Sequence, residues 1–318
     1  MYESFEDFNP EDIVKADKKI LDRFTLGFGA LAGFSAFTAL LRCYVILLFD
    51  YEDQYIYEVD SFNVTKPIYN QNLPYYSYIF WDHQKNRWNF ACAVLFQCYP
   101  VFFYGMIVTG FDSLYVGIIS KISCQIKILN EAFKTVRPRC LRRLGLPITS
   151  SGDVLREVDW VNRELNKELT RNTRSLQIVL SICEKMEEIF TYAVLVQVMV
   201  SLLVFCSCLY LISTMPITDK RVIVESIFML AIEMQLYMYC YFGNHVTTRS
   251  DEISLALFEG DWLSTDAAFK RSMLITMTRV QKPITLTIGG FSPLTLATFV
   301  TIGRASYSFF AVIKNANI

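Results

Sequence analysis

Only two histidines occur in 318 residues, His83 and His245. They are far apart, and no histidine or cysteine cluster has the spacing of a zinc site. Nor is there a serine, histidine and aspartate arrangement that would support nucleophilic hydrolysis. No enzyme activity, metal or cofactor is therefore expected, and there are no candidate catalytic residues. Charge is scarce as well, at 19% of residues with a net charge of -1. That balance carries no indication of a nucleic-acid partner, and none is expected. The nine cysteines form no extracellular framework. Cys43, Cys92, Cys98, Cys206, Cys208 and Cys240 sit in apolar runs, and Cys124 and Cys140 in a basic segment, so they read as buried small hydrophobes. Residues 1–22 are acidic and then basic, without an apolar h-region, so no signal peptide is expected. No internal repeat is present, and a single transmembrane domain over 1–318 is expected.

What the sequence has is apolar length. It is 53% hydrophobic, with a mean hydropathy of +0.30, and the apolar residues come in runs. About 20 consecutive apolar residues cross the hydrocarbon core. Five stretches qualify, predicting spans at about 24–49, 88–111, 189–218, 222–244 and 283–313. The fold class is an all-α polytopic membrane bundle in a lipid bilayer.

Lys/Arg bias in short loops sets the orientation. Lys15, Lys18, Lys19 and Arg23 precede the first span, and Arg137, Arg139, Arg142, Arg143, Arg163, Lys167, Arg171 and Arg174 lie between the second and third. The loop 50–87 is acidic, with Asp50, Glu52, Asp53, Glu58 and Asp60. The N-terminus is thus read as cytoplasmic, 50–87 and the C-terminus as extracellular. The one glycosylation sequon, at Asn63, falls in that outer loop. Its Tyr, Asn and Pro content suggests an ordered lid. Apolar residues at three- and four-residue spacing, from Leu114 through Leu129 and from Val154 through Leu165, predict cytoplasmic helical extensions at about 112–136 and 153–188. Arg137-Pro138 through Gly152 read as the break between them.

Gly29 and Gly33 form a GxxxG pair that predicts close helix approach. Glu225, Glu233 and Arg304 are charges within spans, where ionisable groups face a cavity or a partner. The last segment carries more information. An apolar stretch is broken by Gly289-Gly290 and Pro293, and a helix interrupted at membrane depth needs its freed backbone groups buried in protein or facing water. Ser292 is read as the cap of a new helix with Pro293 at its first position. Beyond it Thr298, Thr301, Ala305, Ser308, Val312 and Asn315 share one face at about 100° per residue. All but Val312 are small or polar. Such a stripe either lines water, with one apolar ring able to close a pore by dewetting, or packs tightly against another helix.

Three stretches carry a family resemblance. Arg279-Val280-Gln281-Lys282-Pro283 with Leu286-Thr287 and Gly289 is one. Phe291-Ser292-Pro293-Leu294-Thr295-Leu296, Phe299 and Ser306-Tyr307-Ser308-Phe309-Phe310 make up the second. The third is Cys240-Tyr241-Phe242-Gly243-Asn244, and Leu73-Pro74-Tyr75-Tyr76 adds a weaker match. Together they resemble the insect odorant receptors, at the inner end of the sixth helix and along the seventh. That family has seven spans, so the five here would correspond to its third through seventh, without the first two.

The resemblance implies an odorant receptor subunit of a ligand-gated nonselective cation channel in the plasma membrane of sensory neurons. It would form a heterotetramer with an odorant receptor co-receptor and bind a volatile small-molecule ligand. Aligning the end of the chain puts Val312 at the family's hydrophobic gate and Asn315 and Ala316 near the outer mouth, with Ser308 and Thr301 deeper along the pore. Pocket candidates, from mid-membrane outward, are Phe37 and Leu41, Tyr99 and Phe103, and Phe228 and Met229. The cytoplasmic ends of the spans would form the subunit contact. The alternative is a secondary transporter using Glu233 and the broken helix, a class that usually shows internal repeats.

Overall fold

A computed structural model describes residues 9–48, 55–59, 65–69, 78–83, 86–146, 159–214, 216 and 220–316. Helices dominate: α1 (Pro10–Leu48), α2 (Arg87–Lys134), α3 (Val136–Arg143), α4 (Asp159–Thr214), α5 (Lys220–Glu259), α6 (Ala267–Val280) and α7 (Leu296–Ala316). Two short antiparallel pairs join them, β1 (Tyr55–Val59) with β2 (Thr65–Tyr69) and β3 (Thr287–Ile288) with β4 (Ser292–Pro293). The described parts of α2 and α4 are long and apolar enough to cross a membrane, and Leu296–Val312 is a shorter apolar helix. The chain forms two compact units, one of residues 1–25 and 114–318, the other of residues 26–113.

In the first unit the core follows the helical period. Along α2, Ile119, Ile122, Ile126, Leu129 and Phe133 are buried, and along α4 so are Val161, Leu165, Leu169, Leu176, Val179 and Cys183. These are the faces that three- and four-residue spacing predicts, and each fully buried aliphatic side chain contributes about 1.5–3 kcal/mol. Leu114, at the start of the predicted row, is exposed instead. Helix α4 is the hub, packing against α3, α5, α6, α7 and β3.

The break expected between the two helical extensions differs from expectation. Arg137-Pro138 lie inside α3, one residue beyond the end of α2. Pro138 occupies the third helical position, where an N–H would have no intrahelical acceptor, so the ring costs α3 nothing. Ion pairs hold α3 in place: Arg137 to Asp261 and Arg143 to Glu168. Helix α6 is capped by Asp266, whose carboxylate accepts from the Phe269 N–H at 2.8 Å and from the Asn166 amide at 3.1 Å.

In the second unit, the loop before α2 is held by its own side chains. The Trp81 indole N–H donates to the Asn89 carbonyl, 3.2 Å, and the Asn89 amide donates to the Asp82 carbonyl, 3.2 Å. Trp81 also packs edge-on against Phe96 with ring centroids 5.7 Å apart. Within the segment 50–87, β1 and β2 pair from Tyr55 opposite Tyr69 to Val59 opposite Thr65, strands that the helical reading did not anticipate. Asn63 lies outside the described residues, as do Leu73 to Tyr76. Added Cβ atoms at Gly29 and Gly33 would meet nothing within 4 Å. Among the described residues, then, no helix makes the close approach that the GxxxG spacing predicts.

Candidate pore helix and its anchoring hairpin

The final helix begins later than its sequence suggests. Ser292 and Pro293 are the second strand of a hairpin, not cap and first turn. Gly289 and Gly290, at φ 64° and 79°, make the reversal in a region that residues with a Cβ adopt only with strain. The Leu294 N–H then returns to the Leu286 carbonyl at 2.8 Å. Thr295 is the residue that starts α7: its hydroxyl accepts from the Thr298 N–H at 3.4 Å, and the Thr298 hydroxyl donates to the Pro293 carbonyl at 2.6 Å. Pro293 supplies only a carbonyl here, so its missing N–H is never called on.

Two helices grip this hairpin. On α4 the carboxylate of Glu187 accepts from the Thr287 hydroxyl at 2.7 Å, and the Thr191 hydroxyl donates to the Thr287 carbonyl over a longer 3.5 Å. Leu195, one turn further, comes within 3.0 Å of where a Cβ on Gly289 would sit. On α5 the Ser250 hydroxyl accepts from the Ile284 N–H at 2.8 Å. Gly243 lies so close to Leu294 that a Cβ there would be 2.4 Å from its carbonyl oxygen. Leu294 itself is fully buried. Tyr115 stands near the grip; burial first, and then the Glu187 charge, push its hydroxyl well above the usual tyrosine range.

Along α7 one line of residues faces the protein. Phe299 packs edge-on against Tyr237 with centroids 5.6 Å apart. Ser306 is buried, and its carbonyl accepts from the Cys206 thiol at 3.7 Å. Thr301, Ala305, Ser308 and Val312 are exposed, Val312 at 65%. At about 100° per residue, this stripe is centred roughly 140° around the helix from the Phe299–Ser306 line. Within the unit the stripe is therefore unpacked, which removes tight packing against this unit's own helices as its explanation. Asn315 and Ala316 belong to the last turn of α7.

The pocket candidates fall in both units. Tyr99 and Phe103 touch, with ring centroids 4.5 Å apart, and like Phe37 and Leu41 they belong to the second unit and are exposed. Phe228, exposed, and Met229, half-buried, are neighbours on α5 in the first unit. The intraspan acids differ from each other. The Cys208 thiol donates to Glu225 at 3.8 Å, whereas Glu233 is half-buried on α5.

A polar cluster that sequence reading missed joins α1, α2 and α5. The Arg249 guanidinium donates to both carboxylate oxygens of Asp17 and, at 3.0 Å, to the Ser123 hydroxyl. The Asn130 amide donates to the Arg249 carbonyl at 2.8 Å. Burial opposes ionisation of Asp17, but the Arg249 hydrogen bonds and charge outweigh it and hold the carboxyl below the usual range. Beside them, Ser120, Tyr241 and His245 help line a cavity of about 10 Å³, room for about one water. Burial, then the Arg249 and Lys127 charges, lower His245, with Asp17 opposing. A lone Asp in a basic N-terminal stretch and a lone Arg past the fourth apolar run give no signal of pairing.

A family model described as 7tm Odorant receptor matches residues 18–307. Among curated proteins, the chain is 22% identical over 153 residues to Odorant receptor 10 of Aedes albopictus, covering 48% of this chain and 40% of that one. It is 27% identical over 178 residues to Odorant receptor 2a of Drosophila melanogaster, covering 55% and 45%. It is 26% identical over 225 residues to Odorant receptor 46a, isoform A, of the same fly, covering 70% and 54%. The chain thus matches about half or less of the length of the first of these relatives. Among solved structures it resembles the olfactory receptor OR5 of Machilis hrabei in complex with eugenol, with a TM-score of 0.69 at 13% identity, over 96% of this chain and 69% of that one. The same receptor without eugenol gives 0.67. A hairpin-anchored last helix in a helical bundle, and a family match across most of the sequence, agree: this chain belongs to the insect odorant receptor family of multi-pass membrane proteins.

Proposed function

We propose that the chain is an odorant receptor subunit of a ligand-gated nonselective cation channel, working with a co-receptor in a heterotetramer and opened by a volatile small molecule. The observation that carries this reading is the exposed stripe of α7. A row of Thr301, Ala305 and Ser308, ending at Val312 and left unpacked by its own unit, suits a helix that meets the last helices of neighbouring subunits around a water-filled axis. Val312 is the gate in this reading: an apolar ring to which it contributes closes the path by dewetting. Asn315 and Ala316 line the outer mouth, and Ser308 and Thr301 the pore below it.

The candidate ligand contacts are Phe37, Leu41, Tyr99 and Phe103 in one unit and Phe228 and Met229 in the other, mostly apolar side chains of the kind that suit an apolar volatile. Ligand binding shifts α5 and α7 outward and widens the Val312 ring. The N-terminus is cytoplasmic, Asn63 is glycosylated on the outside, and the cytoplasmic helices form the subunit contact in the plasma membrane of sensory neurons.

Current recordings from cells expressing the full chain with a co-receptor test this. A cation current evoked by an odorant from a broad panel is the expected result. Coupled uptake without unitary conductance would instead establish the secondary transporter built on Glu233.

A further inference from the structure

We propose that Glu187 and Thr287 form a latch that sets the closed angle of α7, making both of them positioning residues for the gate; the role rests on the channel reading above. Helix α7 is joined to the rest of the chain through the β3–β4 hairpin, so whatever fixes the hairpin fixes the root of the helix. Glu187, Thr191 and Leu195 repeat every four residues and present one face of α4 to it. Thr287 is gripped twice, at its hydroxyl by Glu187, 2.7 Å, and at its carbonyl by Thr191, 3.5 Å.

The chemistry of this pair differs from that of the arginine-paired links. Asp17, Asp261 and Glu168 each meet an arginine. Glu187, half-buried, takes a neutral hydroxyl, and no Lys or Arg among the described residues pairs with it. A carboxylate bound to a neutral donor forms a short, directional, charge-assisted bond. Breaking it separates no opposite charges, so it can open and close as the hairpin turns. The lever is long. Val312 lies 16 residues past Leu296, about 24 Å along the helix, so a turn of roughly 5° at the hairpin moves it by about 2 Å.

The test compares T287V, which keeps the shape and loses the donor, with T287S, which keeps the donor, and with E187A and the E187A/T287V pair, in the full chain with a co-receptor. Surface abundance is measured by labelling alongside current. T287V and E187A should each change the odorant-free current, or the half-maximal odorant concentration, by about threefold to tenfold, the range one hydrogen bond commands. The pair should do no more than the larger single change, and T287S should behave as wild type. Wild-type behaviour of T287V, independent multiplying effects in the pair, or a T287S as impaired as T287V would each overturn the latch.

If the wild type gives no odorant current, the channel reading fails, and the latch is judged by chemistry. With V312C as background, T287V but not T287S should change the labelling rate by an impermeant thiol reagent about threefold or more. An unchanged rate overturns it.

Discussion

Arg249 forks onto Asp17, its two terminal nitrogens 2.5 and 3.0 Å from the two carboxylate oxygens, and so ties α5 to α1 across 232 residues of sequence. The side chains are only 14% and 10% exposed, and the Ser123 hydroxyl takes a further hydrogen bond from the same guanidinium. Removing one partner leaves the other charged, mostly buried and short of hydrogen bonds. R249M should cost about 3 kcal/mol, lowering the melting temperature of the detergent-purified protein by roughly 6–12 °C. D17N/R249M should recover part of that loss; a double variant no better than R249M would show that the carboxylate does not need its partner.

His245 gives the same region a dependence on acid. Burial and the Arg249 and Lys127 charges lower it below its ordinary value of 6.5. The unfolded chain then binds a proton that the folded protein resists, so stability is full above about pH 6.5 and falls as pH drops from there towards the folded value. Asp17, also lowered, contributes stability that is lost only further down, below its ordinary 3.8. Melting temperatures between pH 7.5 and 5.5 should therefore fall with acid, and H245F should flatten the slope. An unchanged slope in H245F would remove His245 as its source.

Glycine positions separate the tight from the loose. G243A drives a Cβ to 2.4 Å from the Leu294 carbonyl, a backbone atom that cannot step aside, and should cost about 1–3 kcal/mol and surface expression with it. G33A meets nothing within 4 Å and, in mid-helix, should be neutral or stabilise by about 0.5–1 kcal/mol. Surface labelling of both variants reads the difference. A G33A as damaging as G243A would restore the close helix contact predicted from GxxxG, now made with a partner.

At the gate, V312S should raise current in the absence of ligand, since a hydroxyl ring wets where a valine ring dewets. Odorant-free current per surface channel is the measurement. A closed state as tight as wild type would take Val312 out of the gate.

The helical faces were legible because burial repeats with the helix: Ile119 to Phe133 and Val161 to Cys183 are spaced as a helix spaces them. The stripe on α7 was legible for the same reason. The hairpin was not. Thr287-Ile288 and Ser292-Pro293 are two residues each, too short for an alternating pattern, and Ser-Pro is as good a helix start as a strand. What decides it is tertiary: Leu294 must reach Gly243, and Thr287 must reach Glu187. The α6 start was not read, although it left a local signal: Asp266 stands three residues before Phe269, which opens the row Phe269, Met273, Thr276 and Val280. The Asp17–Arg249 pair was beyond reach, because nothing local records a partner 232 residues away.

Helix α4 runs 56 residues without a break, about 84 Å, and its buried face continues from Val161 near its start through Val194, Val198 and Ser201 in the apolar run. One register thus serves both ends. Inserting or deleting a single residue within it would rotate one half against the other by about 100°, so that the contacts of Leu165 and those of Cys206 could not both survive. The length of α4 between those two points is therefore locked.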